Sequence, residues 1–437
     1  MKKQKSGESC AAAQALAAFI EKSPSRFHAV ENVAKELAES GCEELSERKS
    51  WKIKKGGAYF VRRNSSSLIA FRIPKKKPDG FHIYAAHSDS PTFQIKPSPE
   101  MTSEGIVRLN IEGYGGMIRD TWFDRPLSVA GRVFLDTPEG PVQRLVYPDR
   151  DLLLIPSLAI HMSRDSENTG KRSIQKEMLP FFTQKEGETL TELIAKELKV
   201  KPEEILSADL TLVTREKASF WGAEGEFFSA PRLDDLACCY GGLKGFLRAG
   251  EADNAGISVL CIFDNEEVGS RTKQGAESTF LPDVLSRLRE SLSMSSEDFL
   301  RLVASGFLLS ADNAHAAHPN YTEKADPKMR PRLNAGIVLK YSANQKYTTD
   351  AASAAVFKLL CKKAGVPLQE FVNHADTPGG STLGNIANTQ LSIATADIGL
   401  AQLAMHSAYE TAGTKDPADL EQLAEAFFRE KLPQAVL

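Results

Sequence analysis

The chain has 437 residues, of which 42% are hydrophobic and 25% are charged, and its formal net charge is −3. This length exceeds what one ordinary hydrophobic core covers and predicts roughly two or three domains. Nothing in this composition or net charge calls for nucleic acid or a membrane surface as a partner. Without an apolar run of about 18 residues we expect no transmembrane helix. Six cysteines without metal-type or disulfide-type spacing predict reduced thiols. We therefore expect a cytoplasmic protein with no nucleic-acid or membrane partner.

The N-terminal segment, up to about residue 45, has a helical pattern rich in Ala, Glu and Lys. Its first residues, MKKQK and then AAAQALAAFI, superficially resemble the basic and apolar regions of a signal peptide. Gln14 interrupts the apolar run, however, and no small-x-small cleavage site follows it. We therefore interpret this segment as an amphipathic helix.

The strand patterns divide the rest of the chain. Apolar runs such as FHIYAAHSDS precede residue 91, and from there to about residue 218 short alternating segments with frequent Gly and Pro predict mostly antiparallel β-structure with one helix, LTELIAKELKV. Buried strands then alternate with helices, which favours a parallel sheet. The predicted fold class is α/β: a discontinuous domain of residues 1–91 plus 231–437, with a mainly parallel central sheet flanked by helices, interrupted by a β-rich domain of residues 92–230.

Five clusters of polar residues stand where an apolar strand ends or a helix begins. They are His87-Ser88-Asp89, Arg232-Leu233-Asp234-Asp235, Asp264-Asn265-Glu266-Glu267, Asp312 with His315 and His318, and His406. Each cluster alone has a structural interpretation, because a lone H-x-D is often a hydrogen-bonded pair and tandem Asp is typical of a helix N-terminus. Because strand ends in open α/β sheets converge on one crevice, the joint occurrence of the clusters favours a shared site.

The chemistry of these clusters is that of a metal-dependent hydrolase. Carboxylate oxygens and imidazole nitrogens without thiolates suit hard and borderline divalent ions. Two ions about 3.5–4 Å apart can lower the pKa of a bridging water and polarise a carbonyl, while a metal-free carboxylate takes the proton. The adjacent Glu266 and Glu267 could divide these tasks. An arginine, a metal or solvent could compensate the negative charge of the three carboxylates between Asp264 and Glu267. We predict that a pair of metal ions does so.

The same motifs resemble a known family. AAHSDSP, PRLDDL, FDNEEVGS, SADNAHAAHPNY and GGSTLGNI with DIGLAQLAMHS are similar, in order and spacing, to the M18 metallo-aminopeptidases, the aspartyl aminopeptidase family. SPSRFHAV and IPSLAIHMSRD extend the resemblance over nearly the whole chain. It implies a co-catalytic metallopeptidase domain, an inserted dimerisation domain, and dimers assembled into a tetrahedral dodecamer. It also implies peptide substrates and two divalent ions per subunit. Zinc is the expected metal, with manganese or cobalt as alternatives.

The resemblance assigns roles to individual residues. The implied metal ligands are His87 and Asp312 for one ion, Glu267 and His406 for the other, and Asp234 as the bridge. Glu266 would be the general base and acid, and Asp89 would orient the His87 ring. The peptide between Asp234 and Asp235 is expected to be cis. His161 resembles a histidine that reaches the active site of a neighbouring subunit, where it would contact the substrate and stabilise the oxyanion.

Substrate preference is less strongly indicated. In this family a basic residue can select an acidic N-terminal residue, and Lys340 in IVLKYSANQKYTTD is the candidate, although a lysine there could equally be a solvated strand end. His374, Thr377-Pro378 and Lys346 stand where many relatives carry other residues, which leaves a broad or neutral preference open.

The leading interpretation is therefore a metal-dependent aminopeptidase that removes N-terminal residues, acidic or otherwise, from peptides. Two alternatives remain at this stage. One is a related co-catalytic amidohydrolase, such as a deacylase or carboxypeptidase. The other is a shell-forming homologue that has lost the chemistry, against which the intact ligand set and Glu266 argue.

Overall fold

The computed structural model describes residues 2–162, 172–250 and 256–432. The helices are α1 (Lys2–Lys22), α2 (Arg26–Glu39), α3 (Ile174–Glu177), α4 (Leu190–Leu198), α5 (Leu233–Ala249), α6 (Phe280–Ser291), α7 (Ser296–Ala304), α8 (Ala351–Ala364), α9 (Leu383–Gln390) and α10 (Asp416–Arg429). The strands are β1 (Glu43–Leu45), β2 (Ala58–Arg63), β3 (Ser67–Arg72), β4 (Gly80–His87), β5 (Thr92–Ser103), β6 (Ile106–Tyr114), β7 (Leu127–Leu135), β8 (Val142–Val146), β9 (Phe181–Thr183), β10 (Ile205–Thr214), β11 (Ser219–Trp221), β12 (Phe227–Ala230), β13 (Gly256–Phe263), β14 (Phe307–Ala311), β15 (Ala314–His315), β16 (Ile337–Lys340), β17 (Leu368–Phe371), β18 (Ala394–Gly399), β19 (Ala401–Leu403) and β20 (Glu410–Gly413).

A nine-stranded sheet forms the centre of the fold, in the order β1-β2-β3-β13-β4-β14-β18-β16-β17. β4 pairs in parallel with β13 and β14, and β14 pairs in parallel with β18. These strands are buried on both sides, as continuous apolar runs require. Helices α1, α2, α5, α8 and α10 pack on one face, and α6, α7 and α9 pack on the other. The predicted α/β class, with its mainly parallel central sheet flanked by helices, is confirmed.

A second sheet lies between β4 and α5 in the sequence. Its order is β8-β7-β10-β5-β6-β9, and its neighbouring strands are antiparallel. The sheet has its own apolar core, to which α4 contributes Leu190 and Ile194. A third sheet, β11-β12-β20-β19-β15, pairs two strands that precede residue 231 with three from the C-terminal part. The predicted limits of the inserted domain, residues 92–230, therefore stay a prediction.

The N-terminal segment is helical, as predicted. Helix α1 buries Ala13, Leu16 and Ile20, which recur three or four residues apart and so face the core together. In the part of the chain that the structure describes, no helix is both long and apolar enough to cross a membrane.

Strand order brings the polar clusters together. β4 ends at His87, and its neighbour β13 ends at Phe263, immediately before Asp264; the register pairs these two terminal residues. β14, on the other side of β4, ends just before Asp312. Because the three strands are parallel and adjacent, their carboxyl ends open onto one crevice.

A buried histidine on β4 makes the fold sensitive to acid. Burial lowers the pKa of His82 to about 4, although Asp79 and the main chain of Phe427 act in the opposite direction. The unfolded value is about 6.5, so between these values the unfolded chain binds more protons than the folded one. The stabilising contribution is therefore complete above about pH 6.5, and up to about 3 kcal/mol is lost as the pH falls towards 4.

His82→Gln removes the titrating ring. We predict that the difference in the free energy of unfolding between the parent protein and this variant becomes smaller as the pH falls. Urea titrations of metal-stripped protein between about pH 7 and pH 4.5 should show the gap shrinking by about 2–3 kcal/mol. Parallel pH curves for the two proteins would contradict this expectation.

Candidate metal centre

Asp234 lies at the centre of the site. Its Oδ1 is 3.5 Å from His87 Nε2, and its Oδ2 is 3.3 Å from His406 Nε2. His406 Nε2 is also 3.4 Å from Glu267 Oε2. The two oxygens of one carboxylate therefore face two imidazoles that are far apart in the sequence.

Among the described residues, there are two groups of three in which one potential ligand atom from each residue lies within 4.8 Å of the other two. One group consists of His87, Asp234 and Glu267, and the other of Asp234, Asp235 and Asp312. Asp234 is common to both groups, as a bridging ligand would be.

The environment of these carboxylates fits a metal ion. Asp234 Oδ1 and Glu267 Oε1 are buried without a hydrogen-bond partner, a costly arrangement unless a cation lies beside them. Burial, followed by the charge of Asp234, raises the pKa of Glu267 well above its usual value. Burial raises the pKa of Asp312 to about 6. Divalent cations relieve such crowding, and zinc accepts this set of oxygen and imidazole ligands.

The α5 N-terminus presents Asp234 to the site. The peptide between Asp234 and Asp235 is cis, as expected from the sequence. Asp235 Oδ2 accepts a hydrogen bond from the main-chain nitrogen of His87 at 3.2 Å. Asn313 Nδ2 donates to the main-chain oxygen of Leu233 at 2.9 Å. The two bonds fix α5 against the ends of β4 and β14.

Asp89 connects His87 to the tandem glutamates. His87 Nδ1 lies 3.1 Å from the Asp89 main-chain oxygen and 3.4 Å from its Oδ1, so a proton on Nδ1 leaves the Nε2 lone pair towards Asp234. The carboxylate also accepts from the main-chain nitrogens of Glu266 and Glu267, both at 3.2 Å. Its position matches the predicted orienting role, which stays a prediction.

Glu266 lies next to Glu267 in the turn that follows β13. It begins a short 3₁₀ turn, Glu266–Val268, directly after Asn265. Burial raises its pKa to about 8. Among the described residues, neither group of potential ligands includes it.

The first carboxylate of the run has a different partner from the one predicted. We predicted that a metal pair balances the whole run, but Arg26 Nε lies 3.6 Å from Asp264 Oδ2, and both side chains are largely buried. Burial raises the pKa of Asp264 to about 6, while Arg26 acts to lower it. Arg26 belongs to the segment SPSRFHAV, whose function the sequence did not reveal.

Glu410 is a further residue of the site that sequence reasoning missed. Its buried carboxylate accepts from the main-chain nitrogens of His406 (2.7 Å) and Asp234 (3.0 Å). It thereby joins the segments that carry two proposed ligands. The only signal in the sequence was a glutamate four residues after His406, which is too common a spacing to single out.

The remaining predicted residues lie around this centre. Lys340 is 1% exposed, so it is not a solvated strand end; its Nζ donates to the Asp312 main-chain oxygen at 2.8 Å and lies 4.0 Å from Asp312 Oδ2. His161 lies in the exposed turn Ile160–Met162. His315 and His318 fall outside both described ligand groups. The substrate roles of Lys340 and His161 stay predictions.

Carboxylates and imidazoles gathered at the strand ends of an α/β sheet are the arrangement expected of a metal-dependent hydrolase. A family model described as aminopeptidase I zinc metalloprotease (M18) matches residues 19–428. The chain belongs to this family, which confirms the resemblance seen in its motifs.

Curated relatives agree with the family match. The chain is 46% identical over 414 residues to the probable M18 family aminopeptidase 2 of Clostridium novyi (strain NT), covering 92% of this chain and 95% of the relative. It is 46% identical over 431 residues to the protein of the same name from Clostridium acetobutylicum, with 95% and 98% covered. The chain is therefore a metallo-aminopeptidase, a hydrolase of the exopeptidase type.

Solved structures share the fold. Ape4, determined by cryo-EM in complex with Nbr1, is 38% identical with a TM-score of 0.92, over 97% of this chain and 86% of that chain. The S. cerevisiae mApe1 dodecamer is 28% identical with a TM-score of 0.82, over 95% and 96% of the two chains.

Proposed function

We propose that this aminopeptidase uses two divalent ions, with Asp234 as the bridging ligand. The observation that carries the proposal is the position of Asp234, whose two oxygens face His87 on one side and His406 on the other. Asp312 would complete the His87 site, and Glu267 would complete the His406 site. We propose zinc for both ions, since the family is one of zinc metalloproteases; manganese or cobalt suits the same ligands.

The ions, when bound, would lower the pKa of a water molecule and polarise the scissile carbonyl. Glu266 would take the proton of the attacking water and later deliver it to the leaving amine, because it is a buried carboxyl group next to Glu267 that belongs to neither described group of potential ligands. Asp89 would hold the Nδ1 proton of His87, so that Nε2 remains available as a ligand.

We further propose that the subunits assemble into a dodecamer, as S. cerevisiae mApe1 does. Leu158, Ile160 and Met162 are 64%, 69% and 76% exposed around His161, an apolar surface that a neighbouring subunit would cover. In such an assembly His161 would reach the neighbouring active site, contact the substrate and stabilise the oxyanion. We place this assembly in the cytoplasm.

An acidic preference is the finer part of the proposal. Although burial opposes it, Asp312 raises the pKa of Lys340, so the buried ammonium stays charged. Because Asp312 is a proposed metal ligand, this ammonium lies close to the site and would favour an acidic N-terminal side chain. A charged hydrogen bond of about 1.5–3 kcal/mol corresponds to a rate preference of roughly tenfold or more.

Aminoacyl-fluorogenic substrates with Asp, Glu, Leu, Lys and Ala side chains test this function. Chelator-stripped protein should be inactive, and zinc should restore cleavage, with Asp and Glu faster than Leu by roughly tenfold or more. N-acetylated versions should resist cleavage, since an aminopeptidase recognises the free amine. Equal rates for Asp and Leu would refute the acidic preference alone, whereas release of acetate from the N-acetylated substrates, with the fluorophore still attached, would identify a deacylase.

A further inference from the structure

Tyr114, the last residue of β6 in the inserted sheet, contacts the centre of the site. Its hydroxyl donates to Asp89 Oδ2 at 2.6 Å and accepts from Asn265 Nδ2 at 2.8 Å. Neither of these partners belongs to the sheet that supplies Tyr114. A single phenol therefore joins Asn265, which precedes the tandem glutamates, to Asp89, which accepts from their main-chain nitrogens.

Both partners of Tyr114 control the main chain of that turn. Asp89 accepts from the main-chain nitrogens of Glu266 and Glu267. Asn265 adopts a left-handed conformation with φ of 62°, and its Oδ1 accepts from Thr272 and Gln274. Asn265 Nδ2 donates to the Tyr114 hydroxyl, so both polar atoms of the side-chain amide have a partner. These bonds determine the orientation of the amide.

The chain following Tyr114 lies directly against the same turn. A Cβ added at Gly115, where φ is 73°, would lie 3.0 Å from Glu267 Cβ. A few residues on, the main-chain nitrogen of Ile118 donates to the His406 oxygen at 3.0 Å. The inserted sheet thus touches the segments carrying Glu266, Glu267 and His406.

Arg26 fixes the phenol ring from the other side. Its guanidinium lies 4.8 Å from the centre of the Tyr114 ring while also facing Asp264. A cation over an aromatic face is attractive, particularly when both groups are largely desolvated. The ring therefore has contacts on its face and at its hydroxyl, and little freedom to turn away from Asp89.

We propose that Tyr114 is a positioning residue for Glu266: by holding Asp89 and Asn265 together, its hydroxyl sets the direction of the general base. The inference rests on the proposed role of Glu266. Among the described contacts, the Tyr114 hydroxyl bonds to Asp89 and Asn265 and to none of the proposed ligands, so it would act through the turn. The inserted domain would in this way take part in the orientation of the base.

Tyr114→Phe removes only the hydroxyl. In zinc-saturated enzyme we expect kcat to fall roughly 10–100-fold, as for other residues that orient catalytic groups, with KM within about threefold and with unchanged zinc content. Tyr59→Phe is the matched control: Tyr59 is also buried, but its hydroxyl accepts only the Lys54 main-chain nitrogen among the described contacts. That variant should keep the parent kcat.

A double-variant cycle separates positioning from a general structural effect. If Tyr114 acts through Glu266, Tyr114→Phe should have almost no further effect in a Glu266→Gln background, whereas an independent structural loss would multiply. Parent-like kcat in Tyr114→Phe, or multiplicative effects in the cycle, would overturn the inference. Activity of Glu266→Gln equal to the parent would instead refute the proposed base.

A second variant tests the same hydrogen bond from the other side. Asn265→Asp keeps the size of the side chain but replaces the donor to Tyr114 with an acceptor. It should lower kcat to a similar extent, and adding Tyr114→Phe should lower it little further. This variant carries the test if Tyr114→Phe does not fold. Loss of zinc with normal kcat per bound zinc, in either variant, would overturn the assignment to Glu266.

Discussion

Glu266→Gln is expected to lower kcat by roughly 10²–10⁴-fold while zinc binding and assembly stay intact. Glutamine preserves the shape of the side chain but cannot take a proton from the attacking water. Because Glu266 lies outside both described ligand groups, its loss leaves the metal-binding atoms in place. Steady-state kinetics in saturating zinc, with elemental analysis of the same samples, measure both effects.

The matched control is Glu277→Gln. Glu277 belongs to the same loop region but pairs with Arg271, whose side chain is 82% exposed. Removing this surface charge should leave kcat within about twofold, since exposed pairs contribute little. A Glu266→Gln enzyme that turns over at the parent rate would exclude Glu266 as the base.

Asp234→Asn is expected to abolish activity by removing bound zinc. The Asp234 carboxylate faces both imidazoles, and under the two-ion proposal a neutral amide could neither balance two cations nor offer them two anionic oxygens. Although burial opposes it, the nearby imidazoles of His406 and His87 lower the pKa of Asp234 below its usual value, so the native residue is ionised. Zinc content after dialysis should fall to roughly a tenth of the parent value or less.

Asp235→Asn tests the neighbouring aspartate, which belongs to one of the two groups of potential ligands but is not one of the predicted ligands. Asp235 uses Oδ2 to accept the His87 main-chain nitrogen, and burial raises its pKa well above the usual range. An asparagine oxygen can accept the same bond, so this variant should retain most of its zinc. If Asp235→Asn lost its zinc and Asp234→Asn kept it, the proposal that Asp234 is the bridging ligand would be wrong.

Much of the metal centre could be predicted because several candidates stand at the end of a strand or the start of a helix. His87 and Asp312 stand at or just beyond the ends of β4 and β14, and parallel neighbours must open on the same side of the sheet. A buried strand that runs into consecutive carboxylates indicated a compensating charge near Glu266 and Glu267. These are local patterns, and they are visible without knowledge of the tertiary structure.

Residues that act across the site were not predictable in this way. Arg26, Tyr114 and Glu410 come from a helix, from the inserted sheet and from the third sheet, respectively. Each has an ordinary local environment: an arginine at the start of a helix, a tyrosine at the end of a strand, a glutamate at the start of another. Their importance arises only from their tertiary contacts. Arg26 contacts Asp264, Tyr114 contacts Asp89, and Glu410 contacts the main chain of Asp234.

The sequence by itself determined the α/β class, the family and the residue types of a metal centre, because hydrophobic periodicity and strand-end polarity are local properties. The tertiary structure decided how the charges are distributed. It brought Arg26 to Asp264 and buried Lys340 beside Asp312. A buried charge must find a partner within a few ångströms, and which partner lies that close depends on packing between elements distant in the chain.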